Sequence, residues 1–188
     1  NDAGWTRLSP LSNFGVVTTY SFPDGVSYRM QSTASPDPEA LGQSRIGALR
    51  SDASYTAFRV SVDLVSFAPS IEQDIGILAR VSTPGLGTLN GYSVTFDVDE
   101  GRIFISRIDG EQPSGVGDAE AVLDPENDYR LVFHGFEGRF LAEVFDLADP
   151  TTPISTAEGD DETYQEGPAG LFGNAGQPDG IIDFVLDN

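Results

Sequence analysis

Between residues 55 and 66 the chain reads YTAFRVSVDLVS. Phe58, Val60, Val62 and Leu64 alternate there with Arg59, Ser61 and Asp63. Side chains on an extended strand point to opposite faces at a period of two, so this spacing gives one strand an apolar face and a polar face. The pattern recurs. In 91–109, GYSVTFDVDEGRIFISRID, Tyr92, Val94, Phe96 and Val98 alternate with Ser93, Thr95 and Asp97. Asp99-Glu100-Gly101 then supplies a turn before a return strand at 102–108. A second hairpin is expected over 128–146 with GFEG at its tip. Further strands are expected at 74–82 and 180–187, and two short ones flank Pro23-Asp24-Gly25 within 13–31. Residues 33–43 read as a polar loop, and helical periodicity is almost absent. The 21 glycines and 12 prolines are spread through the chain, which suits many short strands joined by turns. A strand with one apolar face must bury it, and roughly ten such strands close into a sandwich or a barrel. The expected fold is all-β: a two-sheet antiparallel β-sandwich of jelly-roll type with almost no helix. The 188 residues are expected to form a single domain, with 1–12 packing on the sandwich or on a neighbouring molecule.

Charge narrows the partners. The chain has 30 acids against 10 bases, a formal net charge of −20, and every base is arginine. Nucleic acid and anionic membrane both need a basic surface and are excluded. Self-repulsion on this scale points to a salty or calcium-rich setting. No apolar run is long enough for membrane insertion as a helix. There is no cysteine, so thiol nucleophiles and thiolate metal sites are excluded. The only histidine is His134, too few for a zinc site with several histidines. Nor does a Gly-x-Ser-x-Gly elbow or a phosphate loop occur.

His134 sits in YRLVFHGFEGRF, where Tyr129, Leu131 and Phe133 share one face and Arg130, Val132 and His134 the other. That places His134 at the end of a strand, opposite the core, with no acid in register beside it. If solvent covers this face, Arg130 and His134 become candidate ligand-binding residues. Sugar binding stacks rings on exposed aromatics. Tyr92, Tyr164 and the tip residue Phe136 are candidate platforms, while Trp5 is the only tryptophan. Ile103 and Ile105 lie out of phase with Phe104, so both faces of that return strand are partly apolar. Either a loop or another molecule must cover it.

The order YTAFRVSVDLVSF, DIGILARVS, NGYSVTFDVDEGRIFISRIDG, NDYRLVFHGFEGRFLAEVFD, GPAGLFGN, IIDFVLDN resembles the concanavalin A-like lectin and glucanase superfamily. More narrowly it resembles the laminin-G-like modules of secreted bacterial proteins. The resemblance covers about residues 13–188 and implies two curved antiparallel sheets, with a glycan groove often carried on the concave one. The glucanases of that superfamily carry Glu-x-Asp-x-x-Glu on one strand. The match here is Glu72-Gln73-Asp74-Ile75-Gly76-Ile77, in which Ile77 replaces the final acid. Without that acid no local group protonates a leaving group, so the chain is not expected to be an enzyme. Asp97-Val98-Asp99-Glu100-Gly101 is similar to part of a calcium loop, but Ile108 stands where a closing acid belongs. The resemblance also implies a structural calcium bound by a carboxylate on the last strand and by carbonyls near the N-terminus. Ile182-Asp183-Phe184-Val185 and the Asp24-Gly25 turn match those places, making Asp183 and Gly25 the candidate metal residues. The acid-rich 158–166 reads as a solvated loop. Three functions follow in order. The first is a secreted, non-catalytic extracellular module binding a glycan or cell-surface polysaccharide. The second is a structural subunit of an extracellular filament, layer or sheath, partnered by copies of itself. The third is a divergent polysaccharide hydrolase or lyase.

Overall fold

The computed structural model describes residues 4–177 and 179–187. In chain order the strands are β1 (Thr6–Leu8), β2 (Thr18–Ser21), β3 (Tyr28–Ser32), β4 (Arg45–Leu49), β5 (Phe58–Phe67), β6 (Gln73–Ser82) and β7 (Asn90–Asp97). They continue as β8 (Arg102–Asp109), β9 (Gln112–Glu120), β10 (Tyr129–Phe136), β11 (Arg139–Asp146), β12 (Ser155–Asp160), β13 (Gly170–Ala175) and β14 (Ile182–Asp187). They form two antiparallel seven-stranded sheets. The first runs β1-β4-β13-β6-β7-β8-β9, and the second runs β12-β11-β10-β5-β14-β3-β2. This is the all-β sandwich that the alternation predicts.

The sheets meet through the residues that the period of two places on their inner faces. Ile75, Ile77, Ala79, Tyr92, Val94, Phe96, Ile103 and Ile105 come from the first sheet. Val62, Leu64, Leu131, Phe133, Phe140, Val144 and Phe184 come from the second. Four rings interlock at one end of this core: Phe58–Phe133, Phe133–Phe140 and Phe140–Tyr92 centroids lie 5.1, 5.7 and 4.3 Å apart.

Both long sides of the sandwich are closed. On one side the edge strands β9 and β12 touch. A Cβ on Gly117 would sit 2.1 Å from the Glu158 carbonyl oxygen, and one on Gly159 would sit 2.5 Å from that of Val116. Only glycine allows this approach, and Ser155 Oγ donates across the seam to the Glu120 carbonyl at 2.7 Å. On the other side the Tyr20 hydroxyl of β2 donates to the carbonyls of Leu8 and Gly47, each at 2.9 Å. Of the N-terminal segment 1–12, residues 1–3 lie outside the described residues, and Thr6–Leu8 packs on the sandwich as β1. This strand pairs with β4, Thr6 opposite Leu49.

Two local expectations change. The polar loop at 33–43 contains one helical turn, α1 (Pro38–Leu41), capped by Asp37, which accepts from Ala40 N at 3.1 Å. In β6 the alternation breaks at a bulge between Ala79 and Ser82. There Arg80 takes a φ of 50°.

Candidate functional site

The face that His134 and Arg130 share is the outer face of the second sheet, and ion pairs cover it. Asp63 stands directly opposite Arg130 across the β5–β10 pair and accepts from Nε at 2.6 Å and Nη2 at 2.7 Å. His134 Nε2 lies 3.1 Å from Glu143 Oε2. The expectation that no acid stands beside His134 is corrected: Glu143 reaches it diagonally from β11, where Leu141 is its direct partner. These contacts tie up both side chains. Phe136 is 61% exposed at the hairpin tip, as expected of it. Tyr92 is not an exposed platform. It is 0% exposed, within the sandwich, and donates to Asp161 Oδ1 at 2.6 Å. Burial, and then that hydrogen bond, push its phenol up to about 12. Tyr164, another candidate platform, is half-buried and donates to Asp109 Oδ1.

The structure does not bring Asp183 and Gly25 together, and Asp183 has an arginine partner. Arg29 grips both Asp183 oxygens, Nε to Oδ1 at 2.8 Å and Nη2 to Oδ2 at 2.6 Å. A guanidinium seated on a carboxylate repels a dication and takes the oxygens that it would need. Gly25 lies in the turn between β2 and β3, while Asp183 pairs with Gln31 further along β3. The Asp24 carboxylate caps that turn, accepting from Val26 N at 2.9 Å and Ser27 N at 2.7 Å. Among the described residues no group of three or more His, Asp or Glu side chains converges elsewhere.

The principal groove, of about 710 Å³, lies on the outer face of the first sheet. Its floor follows from strand register. Asn174 of β13, Asp74 of β6 and Asp97 of β7 stand in one row, and Phe172, Gly76, Thr95 and Phe104 stand in the next. Ser93 and Ser106 face each other in a third. The walls are loops from three places: α1 with residues 41–43, the 83–89 loop, and the β8–β9 turn at 110–113. An ion pair ties them together. Arg45 Nε and Nη2 bind Glu111 Oε1 and Oε2 at 2.9 and 2.6 Å. Arg45 Nη2 also donates to the Leu41 carbonyl, and Gly87 N donates to Glu111 Oε2. Three strands separate β4 from β8 in the sheet, so this bridge straps one wall of the groove to the other. Leu49, Leu78, Val81, Leu89 and Ile108 form a small second core under the 83–89 loop, with Leu8 and Phe172 packed against it.

Ser93 is 4% exposed and Thr95 is 8% exposed. Both line the groove, and neither hydroxyl has a protein hydrogen-bond partner among the described residues. Asp74 accepts from Asn174 Nδ2 at 3.2 Å, and the same nitrogen donates to Gln43 Oε1 at 3.1 Å. Burial pushes the Asp74 carboxyl up to about 6. The Asn174 hydrogen bond opposes that rise, and the charges of Asp97 and Glu100 add to it.

Sequence reading named Asp74 only as part of an incomplete catalytic pattern, Asp97 only as a polar-face strand residue and part of a broken calcium-like loop, and Ser93 and Thr95 only as polar-face strand residues, and it passed over Asn174. The signal was present in NGYSVTFDVD, where Ser93, Thr95 and Asp97 form an unbroken polar face opposite a core face. The two-faced return strand also resolves here: Ile103 and Ile105 point into the core, and Phe104 points into the groove.

No protein-family model matches the sequence, and no curated protein is similar to it in sequence. Solved structures are similar in shape. The carbohydrate-binding module CBM66 from Bacillus subtilis is 18% identical with a TM-score of 0.67, and the match covers 98% of this chain and 92% of that one. The exoplasmic/lumenal domain of VIP36 in a Ca2+/Man3GlcNAc-bound form is 10% identical with a TM-score of 0.59, covering 99% and 88%. The legume lectin-like domain from Entamoeba histolytica is 9% identical with a TM-score of 0.57, covering 98% and 87%. With two seven-stranded antiparallel sheets superposing over nearly the full length of these proteins, the chain has the concanavalin A-like lectin jelly-roll fold.

Proposed function

We propose that this protein is a secreted, non-catalytic extracellular module that binds a glycan in the groove on the first sheet. The observation that carries this reading is the pair of hydroxyls of Ser93 and Thr95, which no protein group bonds among the described residues and which open from nearly buried residues onto a groove floor that also holds Phe104 and Phe172. Hydroxyls that open into a groove with no protein partner are available to bond a ligand. Ring surface beside hydroxyl and amide groups is what a sugar ring with its hydroxyls requires. The fold is shared with a carbohydrate-binding module and with a lumenal domain solved with a mannose-containing glycan, and both support the reading by analogy. Ile77 supports a non-catalytic role: it is buried in the core, on the face opposite Asp74, so no acid completes the glucanase-like pattern. The alternative of an assembling filament subunit has less support, because the edge strands β9 with β12 and β1 with β2 already lean on each other. No helix among the described residues is long and apolar enough to cross a membrane.

A glycan array followed by titration calorimetry tests the site. Replacing Ser93 with Ala and Thr95 with Val together keeps the floor's shape and removes two hydroxyls. Affinity is expected to fall about tenfold or more, since each hydrogen bond is worth roughly 0.5–1.5 kcal/mol. His134→Ala is expected to bind like the parent. Loss of binding in His134→Ala with the double variant unaffected would move the site to the other sheet.

Calcium is tested separately. Because Arg29 occupies Asp183, EDTA is expected to leave the melting temperature unchanged. A drop in calorimetric Tm on chelation would show a bound cation at another place in the fold.

A further inference from the structure

On the groove floor two carboxylates face each other with no cation assigned to them. Asp74 and Asp97 are direct partners across the β6–β7 pair, where Cβ atoms stand about 4.5–5.5 Å apart and like charges destabilise. The charged groups around them are accounted for. Arg45, at the end of the same row, is bound to Glu111. Arg102, opposite Asp97 on β8, is bound to Asp118. Glu100, in the turn after β7, adds a further negative charge to Asp74. The remaining polar groups near the pair are mostly acceptors. Asn174 spends its Nδ2 on Asp74, Gln43 and the Ala175 carbonyl, which leaves its Oδ1 without a protein partner among the described residues. Among the described residues Asp97 accepts only from the backbone N–H groups of Asp99 and Glu100, both on Oδ1, at 2.9 and 2.7 Å. Beside this acceptor-rich spot lie Ser93 and Thr95, nearly buried residues whose hydroxyls open into the groove without a protein partner among the described residues. The groove therefore offers acceptors for a compact cation next to groups suited to a hydroxylated ring.

We infer that the groove selects a glycan carrying a free amine, a de-N-acetylated amino sugar whose ammonium sits between Asp74 and Asp97 while its ring hydroxyls bond Ser93, Thr95 and Ser106. The inference rests on the glycan-binding reading of the groove. An ammonium donates three hydrogen bonds from one compact charge, which matches two facing carboxylates and the Asn174 oxygen. It also relieves the repulsion that the empty groove leaves in place. An acetylated amine has neither the charge nor the extra donors. A uronic acid adds a third negative charge and is disfavoured.

The test uses short probes, because a chain of charge −20 attracts any polycation at long range. A trisaccharide of glucosamine, its N-acetylated form, the neutral glucose trisaccharide and a galacturonate trisaccharide are titrated calorimetrically near physiological salt, with EDTA present. The amine is expected to bind about tenfold or more tighter than its acetylated form, a preference of about 1.4 kcal/mol. Asp74→Asn is expected to cut that ratio to below about threefold, whereas Glu126→Gln, the same charge change on an exposed turn, is expected to preserve it. The ratio is expected to peak between pH 6 and 8: it falls at lower pH as Asp74 takes up a proton, and at higher pH as an amine with a pKa of about 8 loses one. Equal affinities for amine and acetylated probe, with neutral binding intact, overturn the inference and leave the glycan reading standing. An unchanged ratio in Asp74→Asn overturns it as well. Binding that appears only when calcium replaces EDTA would seat a metal between the carboxylates and overturn it too. Failure of every probe to bind counts against both the inference and the glycan reading.

Discussion

Arg80→Ala is expected to lower the stability of the protein by about 3–5 kcal/mol, as much as any single truncation in the core. Arg80 is 1% exposed, and no carboxylate accompanies it. The bulge and the positive φ turn its side chain inward, where alternation would have sent it out beside Leu78. Inside, the guanidinium rests on Phe58 and Phe140, its carbon 5.6 and 5.4 Å from the ring centroids. It gives Nε and Nη2 to the Thr56 carbonyl and Nη1 to that of Tyr164. Burial pulls its pKa below the ordinary value, yet arginine stays charged throughout the physiological range. The carbonyl oxygens and ring faces replace the water that the ion gave up. Truncation leaves a cavity and two carbonyls without their partner, each worth roughly 1–3 kcal/mol. Urea denaturation followed by tryptophan fluorescence checks this. Arg80→Lys is expected to recover little, because one compact ammonium cannot serve both carbonyls and stack on both rings. A loss below about 1 kcal/mol for Arg80→Ala would mean that the end of the sandwich repacks without it.

Gly76→Ala is expected to be nearly as damaging, at about 3 kcal/mol, and to disturb the groove as well. A Cβ at Gly76 would fall 1.9 Å from the Val94 carbonyl oxygen and 2.9 Å from Thr95 Cα. Both atoms are backbone of the neighbouring central strand, so no rotamer change relieves the overlap, and β6 and β7 must move apart. Gly76 lies between Asp74 and Leu78 on the groove side, beside Thr95. Separating the strands there displaces the hydroxyl and the carboxylate pair together. Gly115 is the control: a Cβ at that position meets nothing within 4 Å, and Gly115→Ala is expected to be neutral. Paired measurements of denaturation midpoint and glycan affinity distinguish the two effects.

Strands with clean alternation and a turn signal were legible in the sequence. β5, β7, β8, β10 and β11 lie within a few residues of where the patterns of 55–66, 91–109 and 128–146 put them. The strands that escaped notice lack that contrast. RIGAL of β4 is almost wholly buried, QPSGVGDAE of β9 is mostly small and polar, and STAEGD of β12 is an edge. Long-range pairing with partners far along the chain holds them in place, and a local pattern does not record that. The site followed the same division. Asp74 was singled out through the resemblance to the glucanase pattern, and Phe136 through its place at a hairpin tip. Tyr92 was offered as a platform although the alternation put it in phase with Val94 and Phe96, and Asp161 and Phe140 enclose it on that core face. His134 could not be paired with Glu143 until β11 lay beside β10.

What the sequence determined by itself is therefore the class of fold and the division of each strand into two faces. Period-two alternation with glycine and proline punctuation leaves a chain like this no helical way to bury its apolar residues. The acidic balance likewise argues against nucleic acid and anionic membrane as partners. Only the tertiary structure decided which polar face became a groove. The outer faces of both sheets carry hydroxyls, carboxylates and arginines in the same alternating pattern. On the second sheet, Arg130 and Arg29 pair with Asp63 and Asp183, and His134 lies against Glu143. On the first, Arg45 is drawn off to Glu111 to strap the walls together, so Asp74, Asp97, Ser93 and Thr95 stay open on the floor. Those pairings join residues up to 154 positions apart, and no local spacing encodes which of them will meet.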